Sequence, residues 1–308
     1  MRKNRLAIFL RHRSKYKPSV ALLIARSTRN LPAVYQMHLL RPLLARFVYS
    51  DEKSMPGALE NKILEAAHSL DKGLANTPRD RERLGKPIAN LKEMVNLGIG
   101  AVSQEVSDYS LDLIHSSVDS EVKTQKVRSV LNPSTLLRQM EARHSARHYN
   151  ERQKPLADDE VSFILRAGLT APNTCSRQSV RVFYSRNEEI IKRGASLFNG
   201  FTTWSSDPIG LFAFGADLRA YNMPSELMNP AVDTSLFASM SSLICVPMGL
   251  SMTMLSWANR NREKEKELRQ LLSIPDHCEV YFGAVVGRTD TRVSRPYKRR
   301  PEEVGYEA

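Results

Sequence analysis

The sequence predicts an α+β fold in which helices pack on both faces of one sheet. Apolar stretches typical of strands lie at residues 180–184, 209–214 and 278–286. Helical stretches separate them, and no βαβ unit repeats along the chain. The chain contains neither the Gly-x-Gly-x-x-Gly of a dinucleotide-binding turn nor the Gly-x-x-x-x-Gly-Lys of a phosphate-binding loop. These observations argue against a Rossmann-type sheet.

The helices between the strands follow from caps and apolar spacing. Pro133 or Ser134 lies near the N-cap of the first helix, and Asp158 is the expected cap of the second. Further helices are predicted at residues 188–199 and 263–272. The segment 234–259 carries no charge but many Ser and Thr residues, so it is interpreted as a buried helix rather than a membrane span.

Upstream of residue 133 the pattern is helical. Helices are predicted at 56–70, ending at a C′ glycine, Gly73, and at 87–98 and 103–130. His68 and Lys72 lie four residues apart on one helix face, either as a site or as a structural polar pair. The chain is therefore divided into a basic arm (residues 1–50), a helical N-terminal extension (51–132) and a main domain (133–308).

The basic charge of the protein is confined to the arm. Residues 1–50 hold 11 Lys or Arg and no acidic residue, whereas residues 51–308 hold 34 basic and 33 acidic residues. An amphipathic arm of this kind fits an anionic membrane surface, a loosely packed extension or an organellar transit peptide. The near-neutral main part and the absence of a nucleic-acid motif argue against nucleic-acid binding.

The cysteines predict neither a disulfide framework nor a metal site. Cys175, Cys245 and Cys278 lie far apart, with no Cys-x-x-Cys and no metal spacing to histidine. They are interpreted as free thiols in a reducing compartment.

Two polar segments carry the candidate chemistry. Residues 143–147 place two arginines, a histidine and a serine together, and such a cluster suits a phosphate because guanidinium groups donate in a planar fork. Residues 171–178 combine turn residues with amide and hydroxyl side chains, which suit the edge of a planar heterocycle.

These segments resemble the opening of the FMN-dependent nitroreductase family, in which Arg-x-Ser-x-Arg-x-aromatic is followed by a helix and an Ala-Pro-Ser-x-x-Asn-x-Gln-Pro turn. The chain matches this pattern at residues 143–149 and 171–179, and the resemblance covers residues 135–308. It is nearest to nitroreductase-like proteins of bacterial exopolysaccharide loci, whose His-x-x-Glu-Lys-Gly-Leu element corresponds to residues 68–74.

The resemblance implies an FMN site at the interface of a homodimer. Arg143 and Ser145 would hold the phosphate and ribityl end, with His144 beside them, and Arg147 would face the pyrimidine edge of the ring. The turn would reach flavin held mainly by the partner subunit. Residues 233–235 match the family's Asp-x-Gly segment and would precede a long central helix. The remaining implied cofactor residues are Pro172, Asn173, Thr174, Ser176, Asp233, Thr234, Ser235, Lys298 and Arg299.

The implied activity is electron transfer from NAD(P)H through bound flavin to a small acceptor in a ping-pong cycle. No catalytic side chain is implied, because the flavin carries the chemistry. The implied location is the cytoplasm, with the arm at the inner membrane face. Ser235 replaces the family glycine, and the 173–180 turn is altered. The alternative is therefore a flavin-poor homologue that acts as a dimeric scaffold at a membrane-associated polysaccharide machine.

Overall fold

The computed structural model describes residues 56–74, 85–98, 102–118, 130–201, 207–221, 226–290 and 297–307. The basic arm at residues 1–50 lies outside these described residues, and so does the side chain of Lys72. The predicted division of the chain at residue 133 therefore stays a prediction.

Helices α1 (Pro56–Leu74), α2 (Gly85–Gly98) and α3 (Gln104–Val118) pack on one another. Their apolar residues form a cluster of their own, centred on Ile63, Leu70 and Leu91. Gly73 lies inside α1, so its prediction as a C′ glycine was wrong. Of the helix predicted over 103–130, the structure describes α3 at Gln104–Val118, and residues 119–129 lie outside the described residues.

The sheet of the described residues has four antiparallel strands in the order β1-β2-β4-β3, as the α+β prediction requires. Strand β1 is Val180–Ser185, β2 is Gly210–Asp217, β3 is Leu250–Leu255 and β4 is Cys278–Arg288. Strands β2 and β4 lie in the centre, and both are buried along most of their length. Gly215 allows the bulge between these two strands, because a Cβ there would lie 2.3 Å from the Glu279 carbonyl oxygen.

Helices cover both faces of the sheet, which confirms that part of the prediction. Helices α5 (Asp158–Leu169) and α7 (Asn229–Cys245) bury Ile164 and Phe237 against one face. Helices α6 (Glu188–Ser196) and α8 (Arg262–Leu272) bury Ile191 and Leu268 against the other. Neighbouring residues of β2 point to opposite clusters, as the alternation of a strand requires.

The caps differ from the sequence prediction by one residue. Helix α4 (Pro133–Ala142) begins after Asn132, whose Oδ1 accepts from the Thr135 N–H at 2.8 Å. Pro133 is thus the first helical residue, a position where its missing N–H costs nothing. Asp158 is also the first residue of its helix and not the cap, because the Glu160 carboxylate accepts the N–H of the capping residue Ala157.

The predicted single helix over 234–259 was wrong at both ends. Helix α7 begins at Asn229, a 3₁₀ turn covers Val246–Met248, and Gly249 adopts φ 67° before β3. By length and composition Asn229–Met248 could cross a membrane, with a mean hydropathy of 1.3. Because one stripe of α7 packs on α5 and three strands, it serves here as the core helix of the sheet.

Candidate functional site

The first polar segment is held against the edge strand β3. Helix α4 ends at Ala142, and the chain then runs extended past two hydroxyls of β3. The Ser251 hydroxyl donates to the His144 carbonyl at 2.8 Å and accepts from the Ala146 N–H at 3.1 Å. The Thr253 hydroxyl donates to the Ala146 carbonyl at 2.7 Å. Two side chains of a strand that the sequence did not predict thus fix the backbone of the segment.

Tyr149 anchors the end of this segment on β4. Its ring lies on Gly287, where a Cβ would approach the ring carbon Cδ1 to 2.4 Å. The Asn150 N–H donates to the Arg288 carbonyl at 2.9 Å. Burial raises the pKa of Tyr149 to about 12, although a hydrogen bond with Thr253 and the charge of Arg147 act in the opposite direction. The phenol therefore stays neutral and anchors the segment through packing.

The segment presents guanidiniums that no described residue binds. Ser145 and Arg147 are exposed and Arg143 is half-buried. Within the described residues, neither guanidinium makes a hydrogen bond or ion pair. His144 Nδ1 lies 3.1 Å from the Ala142 carbonyl, and a carbonyl can only accept, so Nδ1 carries a proton in this geometry. Its Nε2 is buried without a hydrogen-bond partner.

The second polar segment is a turn with unusual backbone angles. Cys175, Ser176 and Gln178 have φ values of 51°, 52° and 51°, in the left-handed region that non-glycine residues rarely adopt. The Asn173 Oδ1 accepts the Gln178 N–H at 3.2 Å and closes the turn. Asn173 and Ser176, both predicted to contact flavin, are half-buried here, while Pro172 is exposed.

The carboxylate of Asp233 ties this turn to α7. Its Oδ1 accepts from the Thr174 N–H at 3.0 Å and from the Thr174 hydroxyl at 2.9 Å. Its Oδ2 accepts from the Tyr221 hydroxyl at 2.8 Å. Burial, the largest cause, raises the pKa of Tyr221, whose hydroxyl also bonds to Ser179. The Thr174 hydroxyl and the Asp233 carboxylate are thus used within the chain.

The Asp-x-Gly match lies inside α7, not before it as the resemblance implied. Thr234 and Ser235 donate their hydroxyls to the carbonyls of Pro230 at 2.6 Å and Ala231 at 2.7 Å. Because the helix already begins at Asn229, Ser235 has no positive φ, and the replacement of glycine there causes no backbone strain. Contact of these residues with a cofactor stays a prediction.

Arg177 is a buried residue of the turn that the sequence did not single out. Its side chain is 3% exposed and donates to Glu65 of α1 at 2.5 Å and to Glu226 at 2.6 Å. Desolvation lowers its pKa, but the hydrogen bonds and charges of the two glutamates outweigh this, and the pKa is raised. In the sequence, Arg177 is only a lone arginine in a turn. The two glutamates that bind it come from distant segments, so local residues do not reveal its role.

In one chain the two polar segments lie at opposite edges of the sheet. Residues 143–147 run beside β3, whereas the 171–178 turn leads into β1. Helix α7 connects these two edges, because Asp233 in its first turns holds the turn and its C-terminus leads to β3. With 17 residues, the helix is about 25 Å long at about 1.5 Å per residue. A single chain thus presents two separate polar segments.

The outer side of α7 carries no charged residue, and the described residues leave it partly exposed. Its buried residues recur at helical spacing and form the stripe that faces the sheet. On the other side, Val232 is 50% and Leu236 is 39% exposed, with Ser235 and Ser239 between them. Large apolar side chains are also exposed on α4 and α5, namely Leu136, Leu137, Met140, Phe163 and Leu169.

The C-terminal tail does not join either segment in the described structure. Lys298 and Arg299 are exposed, and neither makes a hydrogen bond or ion pair with any described residue. Their convergence on the 143–147 segment therefore stays a prediction.

The fold and the site together define an α+β protein with an open antiparallel sheet and a polar site divided between the two ends of one helix. No family model matches the chain, and no match was found among curated proteins. Solved structures do match. An FMN-dependent nitroreductase from Clostridium difficile shares 18% identity over 55% of this chain and 96% of its own, with a TM-score of 0.46.

Two further matches carry related names. The NADPH:FMN oxidoreductase from Vibrio harveyi, solved in complex with NAD⁺, is 22% identical over 56% of this chain and 76% of its own, with a TM-score of 0.47. Nitroreductase A from Vibrio parahaemolyticus is 21% identical over 58% of this chain and 76% of its own, with a TM-score of 0.48. With identities of 18–22% and TM-scores of 0.46–0.48, these matches alone do not show what the protein does.

Proposed function

We propose that the protein is an FMN-dependent oxidoreductase that works as a homodimer, with NAD(P)H as electron donor and a small molecule as acceptor. The observation that supports the proposal is the placement of the two polar segments, which we infer to be two half-sites, at the two ends of α7, a helix whose outer side is uncharged and leaves Val232 and Leu236 exposed among the described residues. Bound flavin would supply the electron-carrying chemistry, and the chain would bind and orient it.

The geometry of α7 supports a dimer. If α7 of one protomer packs antiparallel on α7 of a second protomer about a two-fold axis, Val232 and Leu236 become buried on both chains. The same pairing places residues 143–147 of one protomer near the 171–178 turn of the other. Two complete sites then form from four half-sites, one at each end of the helix pair.

The residues present fit a flavin mononucleotide. Arg143 has no ion-pair partner among the described residues, and Ser145 adds an exposed hydroxyl, so these two residues offer donors for a phosphate. Lys298 and Arg299 would add charge to this end. The turn at 172–176 and the N-terminal half of α7, with Asp233, Thr234 and Ser235, would border the ring. Arg147 would stabilise the negative charge that the pyrimidine edge gains on reduction.

The first experiment is an absorbance spectrum of the purified protein, followed by an assay of NAD(P)H oxidation. We expect a flavin absorbance band, or its appearance on addition of FMN, together with NAD(P)H oxidation. A colourless protein that does not bind added FMN would contradict the proposal and favour the scaffold role. The observation that supports the scaffold role is that Thr174 and Asp233 hydrogen-bond to each other within the chain.

Mixed dimers test the division of the site. We expect Arg143→Ala/Arg147→Ala and Asn173→Ala each to lose FMN binding as homodimers. After the two variants are unfolded and refolded together, half of the dimers are mixed, and each mixed dimer has one intact site, so about a quarter of all sites should bind FMN. Lys154→Ala, an exposed cation outside both segments, is the control. No recovery in the mixture would place the whole site within one chain.

We also propose a cytoplasmic location, with the arm at the inner membrane face, and a link to polysaccharide biosynthesis. The first is supported by the 11 basic and no acidic residues of 1–50. The second is supported by the resemblance of residues 68–74. Flotation with anionic vesicles should depend on the arm and weaken with salt, and deletion of the gene should alter polysaccharide output. Failure of either outcome removes that part of the proposal.

A further inference from the structure

Glu65 links the N-terminal helices to the 171–178 turn. Helix α1 packs on the turn and on the 3₁₀ turn at Leu218–Ala220. At this contact the Glu65 carboxylate accepts a hydrogen bond from one terminal nitrogen of Arg177 at 2.5 Å, and Glu226 accepts from the other at 2.6 Å. The two carboxylates therefore hold the guanidinium from both sides.

The turn needs such support because its backbone is unfavourable for the residues it contains. Cys175, Ser176 and Gln178 all have φ close to 51°, and such conformations persist only where neighbouring groups hold them. Asn173 and Asp233 supply two of these supports through Gln178 and Thr174. Both come from the sheet-bearing part of the chain. Arg177 supplies the third, and half of its anchoring lies on α1.

Arg177 also contacts Tyr221, a residue that binds Asp233, another support of the turn. Its guanidinium lies 5.6 Å from the centre of the Tyr221 ring, and the Tyr221 hydroxyl donates to Asp233. Loss of Glu65 would leave the buried Arg177 side chain with one carboxylate instead of two. The Glu65 side chain is 30% exposed, so water can take the place of its carboxylate, but a neutral acceptor binds the guanidinium more weakly and lets it move. Movement of Arg177 moves the turn.

We propose that Glu65 is a positioning residue of the half-site formed by the turn, so that docking of the N-terminal helices sets the affinity of the site for FMN. This inference rests on the proposed function for its ligand. It assigns the helical extension a role in the cofactor site, although that extension contributes no residue to the predicted set of flavin contacts.

The test uses the full chain with two variants and a matched control. Glu65→Ala removes both the charge and the acceptor, and Glu65→Gln keeps an acceptor. Glu60→Gln is the control, because Glu60 lies on the same helix and accepts from the Ser103 hydroxyl at 2.7 Å, with no hydrogen bond to the turn among the described residues. Amide exchange of the peptide covering 171–179 is followed by mass spectrometry, and FMN affinity by fluorescence quenching.

We expect faster exchange in the turn and about tenfold weaker FMN binding in Glu65→Ala, as expected for loss of a charged hydrogen bond. Glu65→Gln should lie between Glu65→Ala and the unaltered chain. Glu60→Gln should keep normal exchange and affinity even if its melting temperature falls. Unchanged exchange in Glu65→Ala, or faster exchange with unchanged FMN affinity, overturns the inference. If the unaltered chain binds no FMN, the proposed function fails, and the exchange result alone decides whether Glu65 positions the turn.

Discussion

Replacement of Asp233 gives the most direct test of how the turn is held. Asp233→Ala removes the acceptor of three hydrogen bonds, from the Thr174 N–H, the Thr174 hydroxyl and the Tyr221 hydroxyl. Tyr221 keeps Ser179 as a partner, so only the two Thr174 groups lose this acceptor without such a replacement. A buried donor without an acceptor costs about 1–3 kcal/mol. Because Thr174 is half-buried and partly reached by water, we expect a loss of about 2–4 kcal/mol in the free energy of unfolding.

Asp233→Asn is the matched variant. The amide oxygen can still accept from Thr174, and the amide nitrogen can donate to the Tyr221 oxygen while that hydroxyl donates to Ser179. We expect this variant to lose less than about 1.5 kcal/mol. Urea unfolding at one fixed protein concentration measures both values, since a dimer would make the midpoint concentration-dependent. Equal losses in the two variants, or no loss in Asp233→Ala, would refute the reasoning.

Three further predictions concern packing and thiols. Gly287→Ala should cost about 1–3 kcal/mol and lower the melting temperature, because its Cβ would lie 2.4 Å from the Tyr149 ring. A thiol reagent at pH 8 should modify Cys175 in the native protein and leave the buried Cys245 and Cys278 unmodified until denaturant is added. Burial raises the pKa of both buried thiols from 9.0 to about 12, so the stability they contribute is present below pH 9 and should be lost as the pH rises from 9 to 12, measured as a falling urea midpoint.

Two variants serve as controls for the packing and pH predictions. Gly85→Ala, at the start of α2, meets no atom of the described residues within 4 Å and should leave the melting temperature unchanged or slightly higher. Cys245→Ala should flatten the alkaline fall in stability. Rapid modification of three thiols in the native protein, or a midpoint that does not change between pH 9 and 12, would contradict the assigned burial.

The strands that the sequence predicted correctly are those with an unmistakable apolar pattern. Strands β1, β2 and β4 stand between charged or turn-rich segments. Strand β3 was missed because it follows α7 after only a 3₁₀ turn and Gly249, with no charged residue to mark the change. Its alternation of Ser, Met and Thr is also weaker than that of a purely apolar strand.

The two polar segments could be found from local residues, whereas their supports could not. Arginines, a serine and a histidine within residues 143–147 are visible in the sequence. The hydroxyl of Ser251, which fixes that backbone, is 107 residues from His144, and Glu65 is 112 residues from Arg177. Spacing along one chain carries no signal for such long-range contacts.

Helix α7 explains why the sequence predicts a buried helix while a single chain leaves Val232 and Leu236 on it exposed. A helix that is apolar on all sides is stable only when every side is covered. The sheet and α5 cover the stripe that includes Phe237 and Ala238, but no described residue covers the outer side at Val232 and Leu236. The same composition makes Asn229–Met248 long and apolar enough to span a membrane. An antiparallel copy of α7 would cover the outer side and, in the same step, bring the two polar half-sites together. Burial of the helix and completion of the site would then be one event, so flavin affinity and dimer affinity should be thermodynamically linked.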